Sequence, residues 1–503
     1  ESIKIKTPDE YLEKLQENGV IPDTSERKRT LRERISKIIP AGLDLVWDDE
    51  LCEELVNITE DPVPILGKFN EKYLTLPKNI LILTLKKHQR FFSLCTGNGE
   101  IQPVFIGVAD GQRTDYTHIR KGFEEVLVAR LEDAHFFYSE DLKVSPESRV
   151  EKLKELIFLE NYGTMYDKTV RLHDLVLNLT QILGLEIGLK KLTRSAYLSR
   201  NDLLSNVISE KEYASLQGEM GSIYLKNSGE PPEVSSAVLE MYLPRFSGDT
   251  IPETDYGRIL SISDKLDTIS VFFTAGRIPS GSADPFALRR SALGVIQVVL
   301  DAGWDFSLND LIKEHLEKVI TSLGVYNNEA GSRIEKISKS VIEFIKERLR
   351  TYLTDELKFS LESINAVFIT DETSIFRLVR KIEALEKLIK MPEFDKIKIS
   401  FKRVMNIIEQ GSGNVDRSLL IDKQETELYD YFLSKKELIE QHLSKGRFRE
   451  VFDEFLNLRP YIDNFFDNVL VNCEDEKLKI NRMAMLTEIG NEFLKIANFK
   501  MIS

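Results

Sequence analysis

Five residues on successive predicted helices have side chains that can bind a divalent metal ion: His173, Asn201, Asp202, Asp264 and Asp267. Imidazole and carboxylate groups together hold such an ion and acidify a water molecule bound to it. Asn201 weakens this set, because an amide is a much weaker ligand for a transition metal than imidazole. These residues therefore predict a degenerate metal site, in a helical domain whose role is packing or RNA contact.

The stretch from Gly281 to Leu300 predicts a helix with a pair of arginines in its first turn. Asp284 stands at the capping position, Pro285 stands at the first helical position, and an apolar run follows. Spacing alone favours surface salt bridges for the pair, and the alternative is two guanidinium groups that face an anion or a partner subunit: Arg289 and Arg290. Three small residues predict one face open to close packing: Ala287, Ser291 and Gly294.

Two further groups of basic residues are candidates for phosphate contact. Lys86 and Arg90 lie between two predicted strands, where they form either a solvated strand edge or a phosphate-binding loop. The second group belongs to the last hundred residues: Lys402, Arg403, Arg447, Arg449, Arg459 and Arg482. Aromatic residues alternate with this group, and at helical spacing they favour a core over a base-stacking surface: Phe448, Phe452, Tyr461, Phe465 and Phe466.

Composition limits the class of protein to which these residues belong. The 503 residues exceed one hydrophobic core, so three or four folding units are expected. The formal charge of −14 argues against a surface that is positive throughout, but residues 396–503 hold 17 Lys and Arg against 18 Asp and Glu. A polyanion is therefore best placed on this last segment. Three dispersed cysteines and the lack of a bilayer-length apolar run predict a reducing, cytoplasmic location.

The elements that must position these residues change type along the chain. Residues 79–85, 91–95 and 101–109 are rich in β-formers and predict strands, whereas residues 122–142 begin a run of helices. Lys265, within the helical sequence SDKLDT, is predicted to face solvent. The fold class that follows is a multidomain, mainly α protein that opens with a mixed α/β domain.

Several motifs resemble the β subunit of bacterial heterotetrameric glycyl-tRNA synthetase. They are SDKLDT, DPFALRRSALG, KKHQRFF and RKGFEEVLVARLEDAHFFYSEDLK. The terminal blocks SFKRVMNI, LSKGRFREVFDEF, IDNFFDNVLV and LKINRMAML look like a DALR-type anticodon-binding domain. This resemblance implies four segments: a mixed α/β domain (1–160), an HD-like helical domain with a degenerate metal motif (161–300), a helical linker (301–395) and a DALR-like domain (396–503). Because the family's β subunit extends further at its N-terminus, we expect an N-terminally truncated member.

The resemblance also implies a function. The chain is expected to bind tRNA-Gly and present it to a catalytic α subunit in an α2β2 heterotetramer, without binding DNA or a membrane. No HIGH or KMSKS signature, class II motif or P-loop is present, so ATP and Mg are expected at the α subunit, with no cofactor in this chain. Two alternatives stay open: an HD-type metal-dependent phosphohydrolase, and an arginyl-synthetase-like enzyme that shares only the terminal domain.

Overall fold

The computed structural model describes residues 4–280, 284–323, 329–392, 394–407 and 413–502. The chain divides into two compact units, the first comprising Glu1–Glu155 with Leu198–Ser235, and the second comprising Leu156–Tyr197 with Ser236–Ser503. Helices α8 (Leu189–Leu198) and α11 (Pro232–Glu240) run across the points where the chain passes from one unit to the other. The four predicted segments are finer than this division and stay predictions, but residues 198–235 belong to a different unit from the rest of segment 161–300.

The first unit is a four-stranded antiparallel sheet with helices packed against it. Its elements are α1 (Glu10–Glu17), α2 (Thr24–Ile38), β1 (Leu43–Leu45), α3 (Asp49–Ile58), β2 (Pro62–Lys68), α4 (Lys78–Leu83), β3 (Phe92–Thr96), β4 (Ile101–Asp110), α5 (Thr117–Leu142), α6 (Pro146–Lys152), α9 (Asn206–Ser209) and α10 (Glu219–Asn227). The strands lie in the order β1-β3-β4-β2. Phe92, Leu94 and Ile106 of the sheet pack with α2 and α3 in one apolar cluster, while Phe105 packs with α4 and α5 in another.

The strands predicted at residues 91–95 and 101–109 are confirmed as β3 and β4, but the strand predicted at residues 79–85 is wrong. Residues Lys78–Leu83 form α4, and Thr84–His88 continue it as a π-helical turn. Ile80, Leu81 and Leu85 are fully or almost fully buried. Burial of these residues against the rest of the unit outweighs the β preference of the local sequence.

The second unit contains eleven α-helices among the described residues, besides the parts of α8 and α11 that belong to it. They are α7 (Met165–Leu183), α12 (Asp255–Thr274), α13 (Leu288–Ala302), α14 (Leu308–Ser322), α15 (Ala330–Asp355), α16 (Leu361–Phe368), α17 (Ile375–Ile389), α18 (Phe394–Met405), α19 (Lys423–Ser444), α20 (Phe448–Asn468) and α21 (Glu476–Leu494). One apolar core runs through them from Leu172 to Ile502. The mainly helical character expected beyond residue 122 is therefore confirmed for the described part of the chain.

Helix α13 begins at Leu288, three residues later than Pro285, where the sequence predicted its first turn. Asp284 nevertheless caps it: its Oδ1 accepts the Leu288 N–H and its Oδ2 accepts the Arg289 N–H, both at 2.8 Å. Ala287 lies between them in a left-handed conformation. The carboxylate thus accepts hydrogen bonds from two amide N–H groups that have no acceptor within the helix. Residues Gly281 to Ala283 of the predicted stretch lie outside the described residues.

The small face predicted on α13 accommodates a buried lysine. A Cβ at Gly294 would lie 2.7 Å from Cε of Lys265 on α12. Lys265 is 7% exposed, and its Nζ donates to Leu243 O, Met241 O and Ser261 Oγ at 2.8, 3.2 and 2.7 Å. The predicted solvent-facing position of Lys265 is therefore wrong, because polar acceptors inside the unit replace water.

Candidate nucleic-acid interface

The turn from α19 to α20 presents two of the predicted arginines. Gly446 follows α19 with φ 65°, a left-handed conformation that glycine adopts without strain. Phe448, the first residue of α20, is only 3% exposed and anchors the turn in the core. Arg447 and Arg449 lie on either side of this anchor, and both are exposed.

Arg377 of α17 holds the turn in place. Its Nη2 donates to the carbonyl oxygen of Leu443, and its Nη1 lies 3.2 Å from Oδ2 of Asp305. Its guanidinium also lies 5.4 Å from the centroid of the Phe448 ring. One planar group thus binds a carbonyl, the carboxylates of Asp305 and Glu372, and an aromatic ring, which fixes the turn against α17.

Helix α17 and the turn line a cleft of about 440 Å³, which we call the α17 cleft. Its basic lining residues are Arg377, Arg380, Lys387, Lys445, Arg447 and Arg449. Arg377 pairs with Asp305, and Arg380 pairs with Glu383 at 3.0 Å. Within the part of the chain that the structure describes, the other four basic side chains form no ion pair. Such a group of cations is suited to bind phosphate groups of a polyanion.

Three other predicted residues lie on neighbouring faces of α18 and α20. Arg459 pairs with Asp463 at 3.1 Å, and Arg403 lies 3.6 Å from Asp467 and 5.1 Å from the ring centroid of Phe466. Lys402 is half-buried. Arg403 and Arg459 already have carboxylate partners, so a phosphate would have to compete with them.

Arg482 has a different environment from the other candidates. It is 5% exposed, and its guanidinium binds Glu425, Asp422 at 2.7 Å and the carbonyl oxygen of Leu470 at 2.9 Å. A guanidinium that is buried and already bound to two carboxylates and a carbonyl is not accessible to RNA. We therefore correct the prediction for Arg482, which holds α21 to the start of α19.

The two basic candidates of the first unit also have acidic partners. Lys86 Nζ lies 2.7 Å from both Asp48 and Glu50, and Arg90 Nε lies 2.5 Å from Glu54. Burial lowers the pKa of Lys86, but the hydrogen bonds to the two carboxylates outweigh it and raise the pKa. Lys86 therefore stays charged within a local ion-pair network.

The predicted aromatic core of the last segment is confirmed for three residues. Phe448, Phe452 and Phe465 are at most 3% exposed. Tyr461 and Phe466 are half-buried, and Tyr461 stacks on Tyr431 with ring centroids 4.2 Å apart. Helix α20 is continuous through Pro460, which faces solvent where the missing N–H is tolerated.

The predicted metal-binding residues of the second unit have other partners. His173 is exposed and lies 3.2 Å from Asp174. Asp267 is fully buried, and its carboxylate binds Lys168 at 3.2 Å, Arg171 at 2.7 Å and His315 at 3.0 Å. We call these four residues the Asp267 cluster. Burial raises the pKa of Asp267, but the charges of Arg171 and Lys168 outweigh it and hold the pKa well below its usual value.

The remaining positions of the degenerate motif are occupied in a similar way. Asp264 lies 3.1 Å from Nζ of Lys168. In the first unit, Asp202 is fully buried and accepts the N–H groups of Gly218 and Gly221 at 2.6 and 2.9 Å, and Asn201 donates to Gly221 O. The described residues contain no group of three or more histidine, cysteine or acidic side chains that could hold a metal ion.

Sequence reasoning did not find the α17 side of the cleft. Arg377, Arg380 and Lys387 lie on an amphipathic helix whose charged residues have ordinary spacing. Lys445 lies next to Gly446, and this Lys-Gly-Arg sequence is the one local signal of an exposed basic turn. Its importance depends on α17, which lies more than 50 residues earlier in the chain.

Comparison with known proteins relates the chain to a family. Residues 1–369 match the family model described as glycyl-tRNA synthetase beta subunit, and residues 397–497 match the model described as DALR anticodon binding domain. The chain belongs to the glycyl-tRNA synthetase β-subunit family. The resemblance inferred from the motifs is thus confirmed, and so is the DALR-type domain.

Curated relatives named glycine–tRNA ligase beta subunit match the chain over its full length. Those of Desulforapulum autotrophicum, Halothermothrix orenii and Clostridioides difficile are 36%, 37% and 35% identical over 508, 506 and 503 residues. Each alignment covers 100% of this chain, and 72%, 72% and 71% of the respective relative. The chain therefore spans a little under three quarters of the length of these β subunits.

The DALR match covers only one side of the α17 cleft. Lys445, Arg447 and Arg449 lie within the DALR match, whereas α17 lies between the two matched ranges. Arg289 and Arg290 lie in the longer match and line a separate cleft beside α15. No helix among the described residues has the length and apolar character needed to cross a membrane.

Proposed function

We propose that the chain is a tRNA-binding β subunit of glycine–tRNA ligase that presents tRNA-Gly to a catalytic α subunit for ATP-dependent glycylation. The observation that carries this proposal is the α17 cleft. It gathers four basic side chains without ion-pair partners in the described structure, three of them in the segment that matches a DALR anticodon binding domain.

The physical chemistry of the cleft fits RNA. The chain has a formal charge of −14, so a polyanion is repelled by the molecule as a whole at long range. At physiological salt, charges are screened beyond about 8 Å, so a local group of cations can still bind phosphate. Arg447 and Arg449 supply planar guanidinium donors for phosphate oxygens, while Lys387 and Lys445 act as point charges.

The remaining parts of the proposal follow from the family. The active site, with ATP and Mg, belongs to the α subunit, and this chain holds no cofactor. The two subunits form an α2β2 heterotetramer in the cytoplasm. Within the second unit, α7 and α12 to α13 contribute to an HD-like domain without a working metal site, and the helices between residues 301 and 395 connect it to the DALR domain. The Asp267 cluster supports this assignment, because cationic side chains bind the central carboxylate.

The proposal is tested by measuring the affinity of the chain for labelled tRNA-Gly by fluorescence anisotropy at several salt concentrations. Replacing Lys445, Arg447 and Arg449 together by Ala should weaken binding on the order of 100-fold, because three phosphate contacts are lost. The slope of log affinity against log salt should become shallower by about two to three. Lys423→Ala is the matched control, since Lys423 is exposed on α19 but does not line the cleft.

Wild-type affinity in the triple variant would overturn the role of the cleft.

A second measurement tests which subunit carries the catalytic activity. The chain alone should catalyse no glycine-dependent exchange between ATP and pyrophosphate, and glycylation of tRNA should appear only after the α subunit is added. Exchange activity in the isolated chain would contradict the proposal.

A further inference from the structure

A second basic cleft, built by α13 and α15, lies outside the DALR segment. It measures about 580 Å³, and we call it the Arg289 cleft. The residues that matter here are Phe246, Arg289, Arg290, Leu293, Arg348 and Tyr352. A cleft of this volume can accommodate one nucleotide, since small-molecule sites typically measure about 300–1,000 Å³.

The arginines of this cleft are positioned by the backbone and by packing. Leu288 is fully buried at the start of α13, and the Arg289 N–H is bound by Asp284, so the first turn of α13 is fixed. Arg290 is exposed in the following position, and Arg348 is half-buried on α15. Helices α13 and α15 pack directly against each other, which brings the three guanidinium groups to one cleft.

Within the described part of the chain, two of these guanidinium groups have no acidic partner. Arg290 and Arg348 form no ion pair with any carboxylate among residues 4–280, 284–323, 329–392, 394–407 and 413–502. Arg348 Nε is buried and donates to no acceptor there. Asp355 and Glu356 also line the cleft, but both are exposed. Arginines gathered in this way repel one another, and a phosphate that accepts hydrogen bonds from them would offset the repulsion.

The cleft also offers apolar surface for a base. Phe246 lines it with 57% of its surface exposed, and Leu293 and Tyr352 are half-buried beside the arginines. Aromatic rings next to guanidinium groups are the chemistry that binds unstacked bases together with their phosphates. In an A-form duplex the base faces are stacked and inaccessible, so this combination fits an unpaired nucleotide.

We propose that the Arg289 cleft binds an unpaired nucleotide in the acceptor half of the tRNA, with its phosphate on Arg290 and Arg348 and its base on Phe246. This inference rests on the proposed tRNA-binding function. The acceptor half is the better candidate because the cleft lies within residues 1–369, whereas the α17 cleft serves the segment that matches an anticodon binding domain.

The test uses the full chain and two labelled RNAs: an acceptor-stem minihelix with an unpaired 3′ end, and an anticodon stem-loop, both with the sequence of tRNA-Gly. Arg290→Ala combined with Arg348→Ala should weaken minihelix binding by at least about tenfold and leave stem-loop binding unchanged. Lys at both positions should restore part of the affinity, because it keeps the charge but loses the planar fork. Lys339→Ala, an exposed position on the same helix α15, should change neither affinity.

Two further variants separate the contributions of base and phosphate. Phe246→Ala should weaken minihelix binding by about tenfold without changing its salt dependence, because a stacking contact is lost. Asp355→Asn with Glu356→Gln should strengthen minihelix binding by about twofold, because two negative charges leave the cleft. Circular dichroism and thermal unfolding are used to check that each variant is folded. If the double variant does not fold, Arg290→Ala alone replaces it in the binding test.

The outcomes distinguish this inference from the proposed function. If the wild-type chain binds neither RNA nor whole tRNA-Gly, the proposed function fails and this inference fails with it. If wild type binds both RNAs and the arginine variants bind the minihelix equally well, only this inference fails. Loss of α-subunit binding with unchanged RNA affinity would also overturn it and would identify the cleft as a protein contact.

Discussion

The Asp267 cluster and the α17 cleft both concentrate positive side chains in the second unit, but they use them in opposite ways. In the cluster, Lys168 and Arg171 are at most 7% exposed and share one fully buried carboxylate. In the cleft, Arg447 and Arg449 are exposed and form no ion pair within the described structure. Cations that are buried and neutralised hold helices together, whereas exposed cations without carboxylate partners can accept an external anion.

The number of basic residues does not make this distinction. Arg482 and Arg447 come from the same predicted group, and one is buried between acidic residues while the other lies on a turn. What separates them is whether a carboxylate lies within hydrogen-bond distance inside the protein. The distinction would fail if variants of the Asp267 cluster and variants of the α17 cleft changed the same property, either stability or tRNA affinity.

Asp267→Asn should have the largest effect on stability. It leaves Arg171 buried without its counter-charge and Lys168 with Asp264 as its one remaining carboxylate partner among the described residues, so we expect a loss of about 3–5 kcal/mol in the free energy of unfolding. Urea unfolding followed by circular dichroism measures it. Asp255→Asn is the control on the same helix α12, because the Asp255 side chain is 44% exposed and its loss of charge should cost less than about 0.5 kcal/mol. A loss below about 1 kcal/mol for Asp267→Asn would show that the cluster is not a structural ion pair.

The same carboxylate predicts a pH dependence. The pKa of Asp267 in the folded state lies below its unfolded value of about 3.9, because Arg171 and Lys168 outweigh the opposing effect of burial. Asp267 therefore stabilises the fold above that pH, and this contribution is lost as the pH falls towards the folded pKa. The difference in urea midpoint between wild type and Asp267→Asn should be constant from about pH 7 to 5 and should shrink below about pH 4. A difference that grows on acidification would contradict the assignment.

The sequence predicted the periodic and capped elements of the fold well. Asp284, predicted as a capping residue, accepts the first amide N–H groups of α13, and the strands predicted at residues 91–95 and 101–109 are β3 and β4. The strand predicted at residues 79–85 was wrong because Ile and Leu in a short apolar run fit a buried helix as well as a strand. Tertiary burial, which local sequence does not record, decided the outcome.

The site was predicted only in part, for a related reason. Arg447 and Arg449 stand beside a glycine turn and could be selected from the sequence, whereas Lys387 joins them only because α17 packs against that turn. Arg482 was selected because its type and motif were right, yet Glu425 and Asp422 lie next to it only after α19 and α21 fold together. Neighbours that are distant in sequence determine whether an arginine is available.

Arg482→Ala and Arg447→Ala form the sharpest matched pair, with a smaller expected effect than Asp267→Asn. Arg482→Ala leaves Glu425 fully buried without its partner and should lower the stability of the DALR segment by about 2–3 kcal/mol. Arg447→Ala should change stability by less than about 0.5 kcal/mol but weaken tRNA binding by about tenfold. Thermal unfolding and anisotropy of labelled tRNA-Gly measure the two properties on the same samples. If Arg447→Ala destabilised the chain as much as Arg482→Ala, the turn would be part of the core, and the distinction between neutralised and available cations would fail.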